Sequence, residues 1–261
     1  MTLGARVGLL MQVSAGTRGS VDAAYQADQA DAQPTIGTSY QAVYAKRGRL
    51  QPAVSAAVGR PRAQRGGQLR ALLPPARAEP VPGYRLRILD GTGLTGTEHR
   101  WTPLRHWLQA CLPGKSLVVY EPGLGLVTDV VLCEDAYTPE RALVTQLIPR
   151  VQAQELFVAD RNFCTPRFVF GVIRQEAFVL VRHHRRNLPC QPLSPLKKCG
   201  QTDTGVVDEQ RVQVTAAESG TSRSLRRIEV RLFPKTRDGD RTIAVLTNLP
   251  DQIAARPLAD V

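Results

Sequence analysis

The stretch ELFVADRNFCTPRF, Glu155 to Phe168, constrains this chain more than any other. Leu156 to Ala159 is short, unbroken and apolar, the pattern of a strand buried on both faces in a mostly parallel sheet. Thr165 is placed to cap a helix that begins with Pro166, since a hydroxyl can accept an orphan backbone N–H and proline has none to orphan. Phe168, Val169, Val172 and Ile173 then recur at helical spacing. Asp160 therefore falls at the carboxyl end of a buried strand, the edge where open α/β sheets bind their ligands.

The flanking segments extend this unit. Tyr84 to Leu89 alternates apolar residues with arginine, and Ser116 to Tyr120 and Leu124 to Leu132 read as two hairpin strands around Glu121-Pro122-Gly123. Thr138-Pro139 opens a helix with Leu143, Val144, Leu147 and Ile148 on one face, and Phe178 to Arg182 is a further strand. Thr97 to Ala110 is expected to turn helical after Pro103. The order β-β-β-α-β-α-β builds an α/β domain on a mixed five-stranded sheet.

Composition shifts divide the chain. Residues 1–38 are rich in Ala, Gly, Gln and Asp without a sustained period and are expected to be disordered. Residues 39–73 form a helical N-terminal region, read as a DNA-binding remnant, and 74–83 a proline-rich linker. The core spans 84–186. A β-rich insertion follows at 187–240, with strands at Gly205 to Thr215 and Arg226 to Phe233. Residues 241–261 hold a return strand, Thr242 to Thr247, and the start of a last helical segment.

The net charge of +11 is unevenly spread. Residues 84–160 carry seven Lys/Arg against nine Asp/Glu, whereas 161–237 carry fifteen against six. Of the 34 cationic residues 29 are arginine, whose planar fork suits phosphate, so a polyanion is the expected partner. Five scattered cysteines without a C-x-x-C pattern fit reduced thiols in a cytoplasm. No apolar run reaches the length of a membrane helix, and the first residues match a signal peptide poorly. A cytoplasmic, nucleoid-associated protein is expected.

Asp90 ends the first predicted strand as Asp160 ends the fourth. If those strands are parallel neighbours, two carboxylates meet, and they repel unless a cation sits between them. Magnesium takes oxygen ligands and keeps several waters, so two carboxylates plus a substrate phosphate can satisfy it. A strand-terminal Asp also serves as a plain turn former or cap. Two rival motifs are weaker. Gly91, Gly93 and Gly96 spell the G-x-G-x-x-G of a dinucleotide loop and hence a nucleotide-dependent oxidoreductase, but no acidic residue lies between Ala110 and Tyr120 to hold a ribose. His183, His184, Cys190 and Cys199 match no zinc spacing. Trp101 and Trp107 are read as packing residues, and His99 and His106 have no assigned role.

The blocks YRLRILDGTGLTGTEHRWTPLR, LPGKSLVVYEPGLGLVTDVVLCEDAYTPER, FVADRNFCTPRFVFGV and RDGDRTIAVLTNLP resemble bacterial insertion-sequence transposases of the DDE class, closest to the insertion-sequence-four family. The likeness covers residues 39–261. It implies an RNase-H-like domain interrupted by a β-rich insertion, with Asp90 and Asp160 as the first two acids of the triad and Arg161 as the partner of the second. It also implies two Mg2+ (or Mn2+) ions, double-stranded DNA at the terminal repeats and the target, and a homodimer in a synaptic complex.

The family's third acid, a glutamate in a Tyr-x2-Arg-x3-Glu signature, is missing, because no tyrosine follows Tyr137. The chain therefore reads as C-terminally truncated and catalytically inactive, since losing a metal-binding carboxylate mispositions the ions. Arg161, Arg182, Arg185, Arg186, Lys197, Lys198, Arg223, Arg226 and Arg227 are the candidate phosphate contacts. A non-catalytic DNA-binding fragment that interferes with a full-length transposase is the alternative reading.

Overall fold

The strand expected from the Leu156 run forms over Glu155–Ala159 (β4), near the middle of a ten-stranded mixed sheet. The computed structural model describes residues 2–14, 16–37, 39–48, 61, 64–66, 68, 72, 81–93, 114–133, 138–216, 219–237 and 239–259. Around β4 lie β1 (Arg85–Gly93), β2 (Lys115–Glu121), β3 (Leu126–Cys133) and β5 (Phe178–Arg182). β1 is antiparallel to β2, and β2 to β3, while β4 runs parallel to both β1 and β5. Parallel strands need crossovers. These are supplied by α4 (Glu140–Leu147) and α5 (Pro166–Arg174).

The expected order β-β-β-α-β-α-β is thus the observed one, and its capping logic holds in part. Thr165 Oγ1 accepts the Phe168 N–H at 3.4 Å with Pro166 in the first turn. Pro139, not Thr138, occupies the N-cap of α4 and gives no side-chain bond. α4 and α5 pack on one sheet face, where Leu143, Val144, Leu147, Phe168, Val169 and Val172 bury against Leu89, Leu117, Phe157 and Val179. On the other face the short α6 (Ala255–Ala259) covers Leu86, Leu156, Leu180 and Ile228 through Ala255 and Leu258. Both faces of β4 are buried, which explains why its sequence does not alternate.

The insertion joins the same sheet instead of standing apart. β10 (Thr242–Thr247) pairs antiparallel with β5 on one side and with β9 (Ser222–Leu232) on the other. β9 pairs with β8 (Gly205–Thr215), and the far edge of β8 carries β6 (Cys190–Pro192) and β7 (Lys197–Gln201). Beyond β10, the Asn248 side chain prolongs the ladder along β5. Its Oδ1 accepts the Val179 N–H at 2.8 Å and its amide donates to Ala177 O at 3.0 Å.

The N-terminal residues differ from the disorder expected of 1–38. α1 (Leu3–Ser14), α2 (Val21–Gln29) and α3 (Tyr40–Gly48) belong to a separate unit that clusters Leu9, Ala24, Tyr25, Ile36 and Val43. Two local devices compensate for the poor periodicity. Ser20 caps α2 through the Ala23 N–H at 3.1 Å, and Asp28 accepts the Thr35 and Ile36 N–H groups, each at 3.1 Å. The expected helix at Thr97 to Ala110, with His99, Trp101, His106 and Trp107, lies outside the described residues, as does most of the proline-rich linker.

Candidate metal centre

Register brings the two aspartates together. Leu89 of β1 pairs with Ala159 of β4, so the next position on each chain is Asp90 beside Asp160. Neighbouring strands lie roughly 4.8 Å apart, and paired residues of parallel strands share a face. Strand alternation groups Asp90 with Leu86, on the face opposite Leu89. Both aspartates are exposed, and neither forms an ion pair among the described residues.

Each carboxylate is held by a backbone donor. The Gly91 N–H donates to Asp90 Oδ1 at 2.8 Å, and the Asn162 N–H donates to Asp160 Oδ1 at 2.9 Å. The second bond makes Asp160 the N-cap of a 3-10 turn, Arg161–Phe163. Buried Phe163 anchors that turn, its ring 6.1 Å from that of Phe168. Capping alone would account for Asp160, but it does not account for a second exposed carboxylate on the adjoining strand.

A hard divalent cation fits this donor set. Two exposed carboxylates present oxygen donors and leave room for the waters that magnesium retains. Among the described residues no group of three or more His, Cys, Asp or Glu side chains is arranged to hold a metal. Any ion here would rest on Asp90 and Asp160, with the remaining positions open to water or substrate.

The rival motifs lose their geometry. Asp90 does not end β1, which continues to Gly93, and Gly91 and Gly93 pair with Leu117 and Lys115 in regular register. Gly91 and Gly93 are therefore strand residues and not part of a phosphate-cradling turn; Gly96 lies outside the described residues. His183, His184, Cys190 and Cys199 are not gathered into a metal-binding group among the described residues. His183 donates through Nε2 to Leu188 O at 3.0 Å and accepts from Arg227 Nε at 3.4 Å. Burial holds its imidazole below the usual histidine range, as do the charges of Arg227 and Arg185. Cys164, fully buried behind the Asp160 turn, has its thiol pushed up to about 11 by burial, so it is a neutral packing group.

The nine candidate phosphate contacts fall into three groups. Arg161, Arg185, Arg186, Lys197, Lys198 and Arg223 are exposed. Arg182 occupies the β5 position next in line after Asp160 and pairs with Asp240 at 2.8 Å. Arg226 and Arg227 are instead interior residues, 1% and 5% exposed. Arg226 reaches Glu209 at 2.5 Å and Pro250 O at 2.8 Å, and Arg227 reaches Glu229 at 2.6 Å. Their charges are spent inside the fold. The cause is their place midway along β9, between β8 and β10, where an arginine is buried and needs a carboxylate or carbonyl partner; Arg223, near the start of the same strand, is exposed.

A cleft of about 320 Å³ lies elsewhere, lined by Arg85, Arg87, Thr128, Asp129, Arg150 and Glu155. It sits at the amino ends of β1 and β4, and its charged groups are largely paired with one another. Sequence reading passed over two residues that touch the aspartate loops, Glu140 and Asn162, whose side chains meet at 3.1 Å. Asn162 carried a signal, since it follows Asp160 by the two residues of an Asx turn. Among protein-family models none matches this chain, and no curated protein matches its sequence.

Proposed function

We propose that this chain is the RNase-H-like domain of a DDE-type insertion-sequence transposase, acting on double-stranded DNA through a divalent cation held by Asp90 and Asp160. One observation carries the reading: β1 and β4 pair in parallel up to Leu89 and Ala159, so the exposed Asp90 and Asp160 each follow a paired position on neighbouring chain segments. The order β3-β2-β1-β4-β5, with only β4 parallel to its neighbours, supports the RNase-H-like assignment, as does a β-rich segment after β5. A bound Mg2+ would polarise a phosphodiester oxygen and lower the pKa of a water nucleophile. The chain's own part is positional. The Gly91 and Asn162 N–H groups orient the aspartates, and Arg182, next in line after Asp160, lies where a scissile phosphate would approach.

Exposed Arg185, Arg186, Lys197, Lys198 and Arg223 would hold the duplex backbone, in a cytoplasmic, nucleoid-associated setting. Among the described residues no helix is long and apolar enough to cross a membrane. On this reading the chain binds both metal and duplex. The second reading is a non-catalytic DNA-binding chain that competes with a full-length relative.

Titration of Mn2+ into the protein and its Asp90→Asn and Asp160→Asn variants tests the proposal. Binding should be lost in both variants, and duplex affinity should fall steeply as salt rises. Equal Mn2+ binding by all three proteins would overturn the metal centre. Robust nicking of a terminal repeat, abolished in Asp90→Ala, would overturn the expected inactivity.

A further inference from the structure

Glu140 opens α4 with its carboxylate wedged between the two backbone segments that carry the aspartates. A Cβ built on Gly91 would lie 2.4 Å from both Cδ and Oε2 of Glu140, so the carboxylate rests directly on the Gly91 Cα. On its other side the Asn162 amide donates to Glu140 Oε2 at 3.1 Å. Gly91 and Asn162 are the two residues whose backbone N–H groups hold Asp90 and Asp160. One side chain from a third element therefore touches both residues that orient the candidate metal ligands.

We propose that Glu140 is a positioning residue that fixes the spacing and orientation of the Asp90 and Asp160 carboxylates for a divalent cation. The proposal rests on reading those aspartates as a metal centre. It also accounts for Gly91, since any side chain there would occupy the space of the Glu140 carboxylate. Glu140 opens α4, which packs on the sheet face of Leu89 and Phe157, and from there its carboxylate meets the residue that follows Asp90 and the amide of Asn162. An acid in the first turn of a helix also interacts with the helix dipole. Charge and contact are separable, because glutamine keeps the oxygen that accepts from Asn162 and loses the charge.

The test is Mn2+ affinity of the full chain, with the amide NMR shifts of Gly91 and Asn162 as a metal-free readout. Glu140→Ala should weaken Mn2+ binding by about 10- to 100-fold, the usual penalty for removing an outer support. The same change should displace both amide signals, while Glu140→Gln stays close to wild type in both measurements. Gly91→Ala, which meets only the mobile end of Glu140, should fold normally and weaken Mn2+ binding. In the Glu140→Ala background it should add little, the coupling expected of two residues that act through one contact. Unchanged affinity in Glu140→Ala would overturn the positioning role, even while Asp90→Asn still abolishes binding and leaves the metal centre standing. Weakening in Glu140→Gln equal to that in Glu140→Ala would overturn it in favour of a purely electrostatic effect. Mn2+ binding indifferent to Asp90→Asn would remove the metal centre and this proposal with it.

Discussion

Near the amino ends of β1 and β4, Arg85, Arg87, Glu121 and Glu155 close into a network of ion pairs; further along the same chain segments, Asp90 and Asp160 pair with no cation among the described residues. Arg87 is 7% exposed and reaches Glu155 at 2.6 Å and Thr128 at 2.7 Å, with Glu121 on its other side. Arg85 forks onto Glu121 with two bonds of 2.8 Å. Two cations there match two anions, and the charge serves the fold. At the other end two anions remain for water or a ligand to compensate. Buried charge must be neutralised within the protein, whereas exposed charge can be left to solvent or a partner, and this separates two kinds of carboxylate on one pair of strands.

The difference can be broken by substitution. Arg87→Met should cost the most, about 3–5 kcal/mol in urea denaturation, because it strands Glu121 and Glu155 in the interior. Gly205→Ala comes next, at about 1–3 kcal/mol, since its Cβ would lie 2.3 Å from the backbone oxygen of Arg231, which cannot swing aside. His183 adds a pH term of defined sign. Its folded pKa is lowered from 6.5, so the unfolded chain binds the extra proton. Its stabilisation is complete above 6.5 and is lost as pH falls through 6.5 toward the folded value, and thermal unfolding of His183→Gln should lack that part of the acid slope. Asp90→Asn and Asp160→Asn should have the smallest effect, within about 0.5 kcal/mol, as asparagine keeps the oxygen that accepts each backbone N–H. If these two proved as destabilising as Arg87→Met, the two ends would not differ in kind.

Much of this was legible in the sequence because local chemistry decided it. The Leu156 run, the Thr165-Pro166 start and the strand at Phe178 to Arg182 all formed where pattern and capping placed them. β6 and β7 were invisible, since Cys190 to Pro192 and Lys197 to Gln201 have no apolar alternation and become strands only by pairing with β8. α1 and α2 escaped notice, while α3 lies in the stretch expected to be helical; near α2, Asp28 bonds Thr35 and Ile36, a contact between residues seven and eight apart. At the candidate site, Asp90 and Asp160 were readable from their place beside apolar runs. Glu140 was not, because its role depends on a helix returning to β1 from across the sheet. Arg226 and Arg227 were misread for the opposite reason. Composition marks arginine as a surface cation, and only the neighbours of β9 reveal that these two are inside.

The way β10 is stitched between its neighbours also sets where the molecule would yield. Six residue pairs bind it to β9, but only three bind it to β5, with the amide of Asn248 as an added clasp. Under load, β10 would travel with the strands that follow β5 and part from the half that bears the aspartates. Asn248 is then a rivet on a seam. Any movement of the half built on β6 to β9 would reach β5 and β4 through that seam and not through a freely swinging tether.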